Sequence, residues 1–337
     1  MPLSPTGRKI EDLPPCPRRD PDPSPKVPTS VELDRRLSEL VENAYAPTTI
    51  QRYQFRCNAF SAFCIHAGAL ALPAEPVVIG RFLVSLFDGG KKPSTVRAYL
   101  SAIAWSHKIR DLPDPTRSFM LQKALAGMEK GSPAEKRVEP LTWPRLRKVL
   151  RILPGKVASY QAVMLKAAFL LAYCGSLRVS EFAKSTSLAH TLKLKEVRAN
   201  DSEIILTLLS FKHAKRPARI VIPAEPTREE VCPVKALSNY LAIRQNGPPQ
   251  LFCLEDGSVL TRSLISKVLK ACVKEIGLNP DEFDTHSFRA GLTTDLVEAG
   301  YPDATIRESG RWASDAYLKY VRFDLFRAPN VSEHLWL

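Results

Sequence analysis

Four short motifs carry the strongest information about this chain. Late in the sequence it reads Thr285-His286-Ser287-Phe288-Arg289, then Gly310-Arg311-Trp312 and Ala316-Tyr317-Leu318-Lys319-Tyr320-Val321-Arg322, and far upstream it reads Cys174-Gly175-Ser176-Leu177-Arg178-Val179-Ser180-Glu181. Two arginines, a histidine and a tyrosine are residue types that phosphodiester chemistry uses, because guanidiniums stabilise phosphoryl charge and a phenol can act as a nucleophile. These motifs can act together only if the fold assembles them.

The composition suggests two folded domains and a polyanionic partner. With 337 residues, 45% hydrophobic content and 28 prolines, the chain exceeds one typical domain. Its net charge of +13 suits a partner whose phosphates Lys and Arg would neutralise, although a merely soluble basic protein can carry the same charge. The 7 cysteines are scattered without zinc spacing, which predicts reduced core residues. Because no apolar run of about 18 residues could span a bilayer, we expect a soluble, intracellular protein.

Composition along the chain predicts a disordered proline-rich tail, a helical domain, a linker, a second domain and a C-terminal tail. These segments comprise residues 1–30, 31–130, 131–140, 141–322 and 323–337. The first tail lacks the apolar content needed to offset chain entropy, and its basic pairs could serve nuclear import or DNA contact, although solvated charges explain them more simply. In the helical domain, apolar residues recur at three- and four-residue spacing, and one helix is expected to be capped by Ser94 or Thr95.

The second domain is predicted to be helical with one small sheet. A nearly continuous apolar stretch from about Tyr160 to Tyr173 predicts a buried helix that ends at Gly175. Apolar runs around residues 204–209 and 220–222 predict strands joined by a polar turn from Phe211 to Arg219. Further helices are expected to begin at Pro233, Thr261, His286 and Pro302. The fold class is therefore mainly α with a small antiparallel β-sheet.

The candidate site arginines and histidine have ordinary structural explanations when each is taken alone. His286 and Arg289 lie three residues apart at a predicted helix start, so both project from one face, where a phosphate would suit the helix dipole. A capping histidine and a surface arginine would give the same pattern. Arg178 follows a buried helix and could either hold a phosphate or form a structural ion pair with Glu181.

The candidate lysines and tyrosines are equally ambiguous in isolation. Lys212 lies at the predicted hairpin turn, where an ammonium could protonate a leaving alkoxide, and Lys215 is an alternative because one sequence does not fix hairpin register. Tyr317 and Tyr320 are candidate nucleophiles, since neighbouring cations would help a phenol to ionise. Basic hairpin tips are usually solvated, and tyrosines are usually partly buried.

In combination and in chain order, six of these residues resemble the tyrosine recombinase family of site-specific DNA recombinases and integrases: Arg178, Lys212, His286, Arg289, Trp312 and Tyr320. That family has Arg in a G-x-R-x-x-E box, Lys on a β-hairpin, H-x-x-R, His or Trp, and then the tyrosine. The resemblance spans roughly residues 40–325 and implies a two-domain, C-shaped clamp with a helical core-binding domain before the catalytic domain. Residues 231–234, 310–317 and 320–322 resemble the eukaryotic mobile-element branch, with DIRS-like or Crypton transposon recombinases as the nearest matches. We therefore expect a nuclear protein.

The resemblance implies a chemical role for each residue. Tyr320 would attack a DNA phosphate to give a 3′-phosphotyrosyl bond and a free 5′-hydroxyl. Arg178 and Arg289 would hold the non-bridging oxygens, and Lys212 would protonate the 5′ leaving group. The phosphotyrosyl bond conserves the energy for religation, so no nucleotide is implied. Protein cations would take the charge role of a metal, so no cofactor is implied either.

The remaining roles and the partners follow from the same resemblance. His286 would assist acid–base chemistry, and Trp312 would pack and hydrogen-bond near the phosphate. Double-stranded DNA would be the partner, bound by a dimer at each site and a tetramer in synapsis, with no membrane or small-molecule substrate.

Several positions leave alternatives open. Ser176 stands where the family usually has glycine. Either Arg311 or Trp312 could fill the His/Trp position, and Trp312 is preferred because an indole supplies both a donor and a rigid surface. Tyr320 is preferred to Tyr317 because Y-x-R after the tryptophan fits the family spacing better.

The DNA contacts, the C-terminal tail and the rival functions are less constrained. Basic residues on polar helix faces are candidate phosphate contacts, although solvated charges look the same: Arg97, Arg262, Lys267, Lys270 and Lys274. The apolar tail at residues 323–337 is expected to dock on a neighbouring protomer, with folding back onto its own domain as the alternative. The rival functions are a type IB topoisomerase-like enzyme, a domesticated inactive DNA-binding protein and a two-metal carboxylate transposase.

Overall fold

The chain divides into two units that meet in the predicted linker. The computed structural model describes residues 28–133, 138–211, 216–312 and 314–319. Contacts separate Met1–Ala134 from Glu135–Leu337, and this boundary falls within residues 131–140. The predicted C-terminal tail and nearly all of the predicted N-terminal tail lie outside the described residues. None of the described helices has the length and apolar character that crossing a bilayer requires.

The first unit is helical throughout its described part. Its α-helices are α1 (Ser30–Asn43), α2 (Pro47–His66), α3 (Pro76–Asp88), α4 (Pro93–Lys108) and α5 (Phe119–Gly131). The core lies where α3 and α4 pack against each other and against α2 and α5, and it contains Phe60, Phe82 and Leu121. The prediction of a Ser94 or Thr95 cap was wrong. Lys92 is the N-cap and Pro93 opens α4, because the fixed φ of proline suits the first helical position.

The second unit is built around one buried helix. Its α-helices are α6 (Trp143–Ile152), α7 (Ser159–Cys174), α8 (Val179–Phe182), α9 (Pro233–Ile243), α10 (Arg262–Glu275), α11 (Ser287–Glu298) and α12 (Asp303–Gly310). Helix α7 is buried along most of its length and packs against α9 and α11. This confirms the prediction that the apolar stretch ending at Gly175 forms a central helix.

Three antiparallel strands form the sheet in the order β1 (Val197–Ala199), β2 (Glu203–Leu208) and β3 (Ala218–Pro223). In the register, Val197 pairs with Leu206 and Ile204 pairs with Ile222. Alternate β2 side chains enter the core, as the period-two pattern predicts. The sequence did not predict β1, which is three residues long and mostly exposed, and it ended the hairpin turn two residues late, because β3 already begins at Ala218.

Helix α11 is fixed tightly against the start of α6 and the end of α7. The Asp295 carboxylate accepts hydrogen bonds from the Trp143 backbone N–H at 2.6 Å and from the Tyr173 hydroxyl. A Cβ at Gly291 would overlap the carbonyl of Leu141, so only glycine permits this approach. The N-terminus of α11, which carries His286 and Arg289, is thereby held rigidly beside the end of α7.

Candidate functional site

Arg178 and Glu181 form the rigid base of the site. Helix α7 ends at Gly175, and Arg178 is the N-cap of the short helix α8. The Glu181 carboxylate accepts from the Arg178 backbone N–H at 2.9 Å and from Arg178 Nη1 at 3.0 Å. Glu181 is only 1% exposed, whereas the Arg178 side chain is 20% exposed. The ion pair considered from the sequence therefore exists, and it leaves part of the Arg178 side chain accessible.

The turn between α7 and α8 points a backbone carbonyl at two arginines. Ser176 has φ +45°, the left-handed conformation that glycine favours. Its carbonyl accepts from Arg289 Nη1 at 2.5 Å and from Arg311 Nη2 at 3.2 Å. Serine thus stands in the left-handed backbone conformation, at the position where the resemblance leads one to expect glycine.

His286 and Arg289 occupy the first turn of α11, as the sequence predicts. His286 is the N-cap and is half-buried, and Arg289 is only 1% exposed. Besides the Ser176 carbonyl, the Arg289 guanidinium donates to the carbonyl of Gly310. Its Cζ lies 4.3 Å from the centroid of the Trp312 ring, a stacked cation–π geometry. The Arg289 side chain is therefore buried and fixed in position by these contacts.

Arg311 and Trp312 leave the end of α12 with different surroundings. Arg311 has φ +54°, which reverses the chain after Gly310. Its Nη2 donates to Glu181 Oε2 at 2.6 Å, and its Nη1 donates to the Gly175 carbonyl at 3.1 Å. The Trp312 ring instead packs beside Tyr317, with their centroids 6.0 Å apart. Arg311 reaches the same carboxylate as Arg178, while Trp312 supports Arg289.

The arrangement concentrates positive charge in one place. Arg178 and Arg311 share the Glu181 carboxylate, so this pairing leaves one formal positive charge. Arg289 adds a third guanidinium, which donates to the neutral carbonyls of Ser176 and Gly310. Guanidinium forks of this kind suit the oxygens of a phosphate group. The assembled residues can therefore bind a phosphate and stabilise additional negative charge on it.

The imidazole of His286 is held towards its neutral form. Burial is the main cause that lowers its pKa from 6.5. The positive charges of Arg262, Arg289 and Arg178 act in the same direction. The Asp284 carboxylate opposes them. At neutral pH the ring can accept a proton.

We expect His286 to titrate below pH 6.5 in the DNA-free protein, and Arg262→Ala to raise its pKa. The substitution removes a positive charge and frees Asp284 from an ion pair of 2.6 Å. Because the folded pKa lies below the unfolded value, folding carries a protonation cost that grows as the pH falls from 6.5 towards the folded pKa. NMR titration of the imidazole, assigned with His286→Gln, measures the midpoint. Arg228→Ala, at an exposed arginine, serves as the control, and an unchanged midpoint in Arg262→Ala would contradict this assignment of charges.

Glu181→Gln is expected to lower the free energy of unfolding by about 2–3 kcal/mol, because an almost fully buried carboxylate shared by two arginines is lost. The matched control is Glu129→Gln in the first unit. Glu129 pairs with Arg97 at 2.5 Å, but both side chains are about half exposed, so the control should cost less than about 1 kcal/mol. Urea unfolding measures both values. Equal effects of the two substitutions would show that the buried pairing contributes nothing special.

A cleft of about 760 Å³ carries both basic and acidic side chains, among them Asp284, whose charge acts on His286. Its lining includes Lys184, Thr261, Arg262, Ser263 and Lys270. Arg262 is exposed and pairs with Asp284, and Lys270 lies 3.5 Å from Asp281. These side chains could exchange carboxylate partners for phosphate oxygens.

The other candidate DNA contacts are exposed positions without a common site. Lys267 and Lys274 are exposed on α10. Arg97 lies in the first unit and pairs with Glu129. In the part of the chain that the structure describes, no group of three or more His, Cys, Asp or Glu side chains could hold a metal ion.

Three candidate residues, Lys212, Lys215 and Tyr320, lie outside the described residues. Their described neighbours belong to the site. Phe211 has its ring centroid 5.8 Å from Arg311 Cζ. Tyr317 is 3% exposed and packs with Ile306 in a small apolar cluster. A hydrogen bond to Asp303 raises the pKa of Tyr317, which disfavours the phenolate.

Sequence reasoning missed two residues that organise the site. Glu181 was considered only as a partner for Arg178, and its contact with Arg311 joins positions 130 residues apart. Gly310 was quoted as part of the Gly310-Arg311-Trp312 motif, but its steric role was not predicted: a Cβ there would overlap the Trp312 ring. The glycine directly before Arg-Trp was the available signal for the close approach.

Comparisons with known proteins agree with this picture of the fold. A profile of the phage integrase family matches residues 145–322. The Tn1549 transposon integrase in complex with transposon right end DNA has a TM-score of 0.56 at 15% identity, covering 92% of this chain and 93% of that one. The XerH site-specific recombinase bound to a palindromic difH substrate has a TM-score of 0.59 at 17% identity, covering 87% and 80%. A lambda integrase dimer bound to a COC′ core site has a TM-score of 0.55 at 16% identity, covering 86% and 75%. No curated protein matches the chain in sequence.

Proposed function

Since the chain belongs to the phage integrase family, we propose that it is a site-specific DNA recombinase or transposon integrase that acts through a 3′-phosphotyrosyl intermediate. The observation that carries this proposal is the convergence of Arg178, Arg289 and Arg311 on the turn at Gly175–Ser176 and on Glu181. His286 lies close enough for the charges of Arg178 and Arg289 to lower its pKa. Such a cluster stabilises the charge of a pentavalent phosphorane without a metal ion.

The proposed reaction exchanges one phosphoester for another. The Tyr320 phenol oxygen forms a bond to phosphorus, and the bond from phosphorus to the 5′-oxygen breaks. Neutral His286 assists by accepting the phenol proton, and Lys212 donates a proton to the departing 5′-oxygen. A 5′-hydroxyl from another strand then attacks the phosphotyrosyl bond in the reverse sense, so both steps are balanced without a nucleotide.

The environment of Tyr317 favours Tyr320 as the nucleophile. Tyr317 is buried, and its hydrogen bond to Asp303 stabilises the protonated phenol. A nucleophile needs the opposite, an accessible oxygen whose ionised form is favoured. We therefore assign packing to Tyr317 and attack to Tyr320.

Double-stranded DNA is the proposed partner. The net charge of +13 and the cleft lined by Lys184, Arg262 and Lys270 support binding to a phosphate backbone. A dimer on each site, a tetramer in synapsis, a C-shaped clamp, nuclear localisation and an origin in the eukaryotic mobile-element branch are the finer parts of the proposal. The branch rests on sequence motifs such as Gly310-Arg311-Trp312 and Tyr320-Val321-Arg322.

Strand exchange between two labelled duplexes separates the proposed function from its rivals. Both duplexes carry a site selected from a random duplex pool by binding to the protein, and the reaction contains EDTA. A recombinase produces duplexes that join the two labels. A topoisomerase-like enzyme relaxes supercoiled DNA without joining them, an inactive DNA-binding protein does neither, and a two-metal transposase stops in EDTA. Any of the last three results would overturn the proposal.

A further inference from the structure

The surroundings of Trp312 are those of a supporting residue. Its ring lies under the Arg289 guanidinium, packs beside Tyr317 and fills the space over Gly310. An indole wedged in this way fixes the height and orientation of Arg289. Trp312 therefore acts through Arg289, as a positioning residue.

Arg311, unlike Trp312, does not support another arginine from beneath. Its guanidinium lies among the groups that surround Arg178. The left-handed turn at Arg311 carries its side chain to the Gly175 and Ser176 carbonyls and to Glu181. Glu181 holds Arg178 and Arg311 by hydrogen bonds to the same carboxylate. Because one carboxylate fixes both guanidiniums, their N–H groups are preorganised to donate to a common acceptor.

The hydrogen bonding of Arg311 is incomplete. A guanidinium has five N–H donors, and the three hydrogen bonds of Arg311 all use Nη1 and Nη2. Its Nε is buried and has no hydrogen-bond partner among the described residues. The side chain as a whole is 10% exposed. Burying a donor without a partner destabilises the fold, so such a group generally marks a place where a ligand or water completes the bonding.

We propose that Arg311, rather than Trp312, is the third phosphate-binding residue and donates with Arg178 to a non-bridging oxygen of the scissile phosphate. This inference rests on the proposed function. Glu181 orients the two guanidiniums, and Trp312 orients Arg289 from beneath. The excess positive charge of the cluster is then neutralised by the phosphate and by the negative charge that develops on it during attack.

The test compares two forms of the same nicked duplex that carries the selected site. One has a normal scissile phosphate, and the other has a methylphosphonate, in which a methyl group replaces one charged oxygen. A residue that serves by neutralising phosphate charge is needed less on the uncharged substrate. A residue that only maintains the fold is needed equally on both.

Arg311→Ala should slow adduct formation by about 100-fold or more on the phosphodiester and by less than about 10-fold on the methylphosphonate. Arg311→Lys keeps the positive charge beside Glu181 and so disturbs the fold less than alanine does. It should still lose activity on the phosphodiester, because an ammonium lacks the paired N–H donors of a guanidinium. Trp312→Phe keeps an aromatic ring beneath Arg289 and removes only the indole N–H, so it should slow the reaction on the phosphodiester by less than about 10-fold. Arg228→Ala, at an exposed arginine in a loop of the same unit, is the matched control.

Equal losses of Arg311→Ala on the two substrates, or no loss at all, would overturn the assignment of Arg311 while leaving the proposed function intact. Absence of any adduct with the unmodified protein on either substrate would instead overturn the proposed function. A loss in Trp312→Phe on the phosphodiester as large as that in Arg311→Ala would return the phosphate contact to the indole N–H of Trp312.

Discussion

Gly310→Ala is expected to slow formation of the covalent protein–DNA adduct by about 100-fold or more. A Cβ at this position would overlap the Trp312 ring, so the indole must move. The indole supports the Arg289 guanidinium, and the Gly310 carbonyl accepts one of its hydrogen bonds. Displacement of a phosphate-binding group by about 1 Å can cost this factor, because the transition state is stabilised only by correctly placed charges. Quenched-flow measurement of adduct formation gives the rate.

Two controls separate this effect from a general cost of alanine. Gly127→Ala introduces the same methyl group in α5, where nothing lies within 4 Å, and should stabilise the helix by roughly 0.5–1 kcal/mol. If the clash with the indole is the cause, Gly310→Ala should add little further loss in a Trp312→Ala background. Full additivity of the two substitutions would contradict the clash as the cause.

The parts of the fold that the sequence predicted are those set by local patterns. Helix α7 is apolar on nearly every side, so its burial and its end at Gly175 follow directly. Helix α10 begins after Thr261, whose hydroxyl accepts from the Leu264 backbone N–H at 3.3 Å, as a capping residue should. Strand β1 could not be predicted from the sequence, because its three mostly exposed residues owe their conformation to pairing with β2. Non-local pairing leaves no local periodicity to detect.

The sequence predicted which residues belong to the site better than it predicted the contacts between them. The spacing of His286 and Arg289 placed both in the first turn of α11, which the structure shows. The choice between Arg311 and Trp312 depends on a backbone reversal with φ +54° at a non-glycine residue. Nothing in the sequence marks that reversal, and the prediction of Trp312 rested on the chemistry of an indole. The structure shows Arg311 hydrogen-bonded to Glu181 and Trp312 beneath Arg289, and our proposal for Arg311 starts from these contacts.

The surroundings of Arg289 explain why the candidate arginines differ in exposure. Arg289 is held by two carbonyls and a stacked indole and is 1% exposed, whereas the Arg178 side chain is 20% exposed. Rigid, buried support of this kind lowers the entropy lost when a phosphate binds.

The most direct test of the central claim is denaturing electrophoresis after incubation of the protein with a nicked suicide duplex in EDTA. The duplex carries the selected site and releases a short 5′-hydroxyl fragment on cleavage, so the covalent intermediate accumulates. We predict a covalent adduct with the unmodified protein and with Tyr317→Phe, provided that the latter folds, and none with Tyr320→Phe. No adduct with the unmodified protein, or an adduct that persists in Tyr320→Phe and disappears in Tyr317→Phe, would contradict the account.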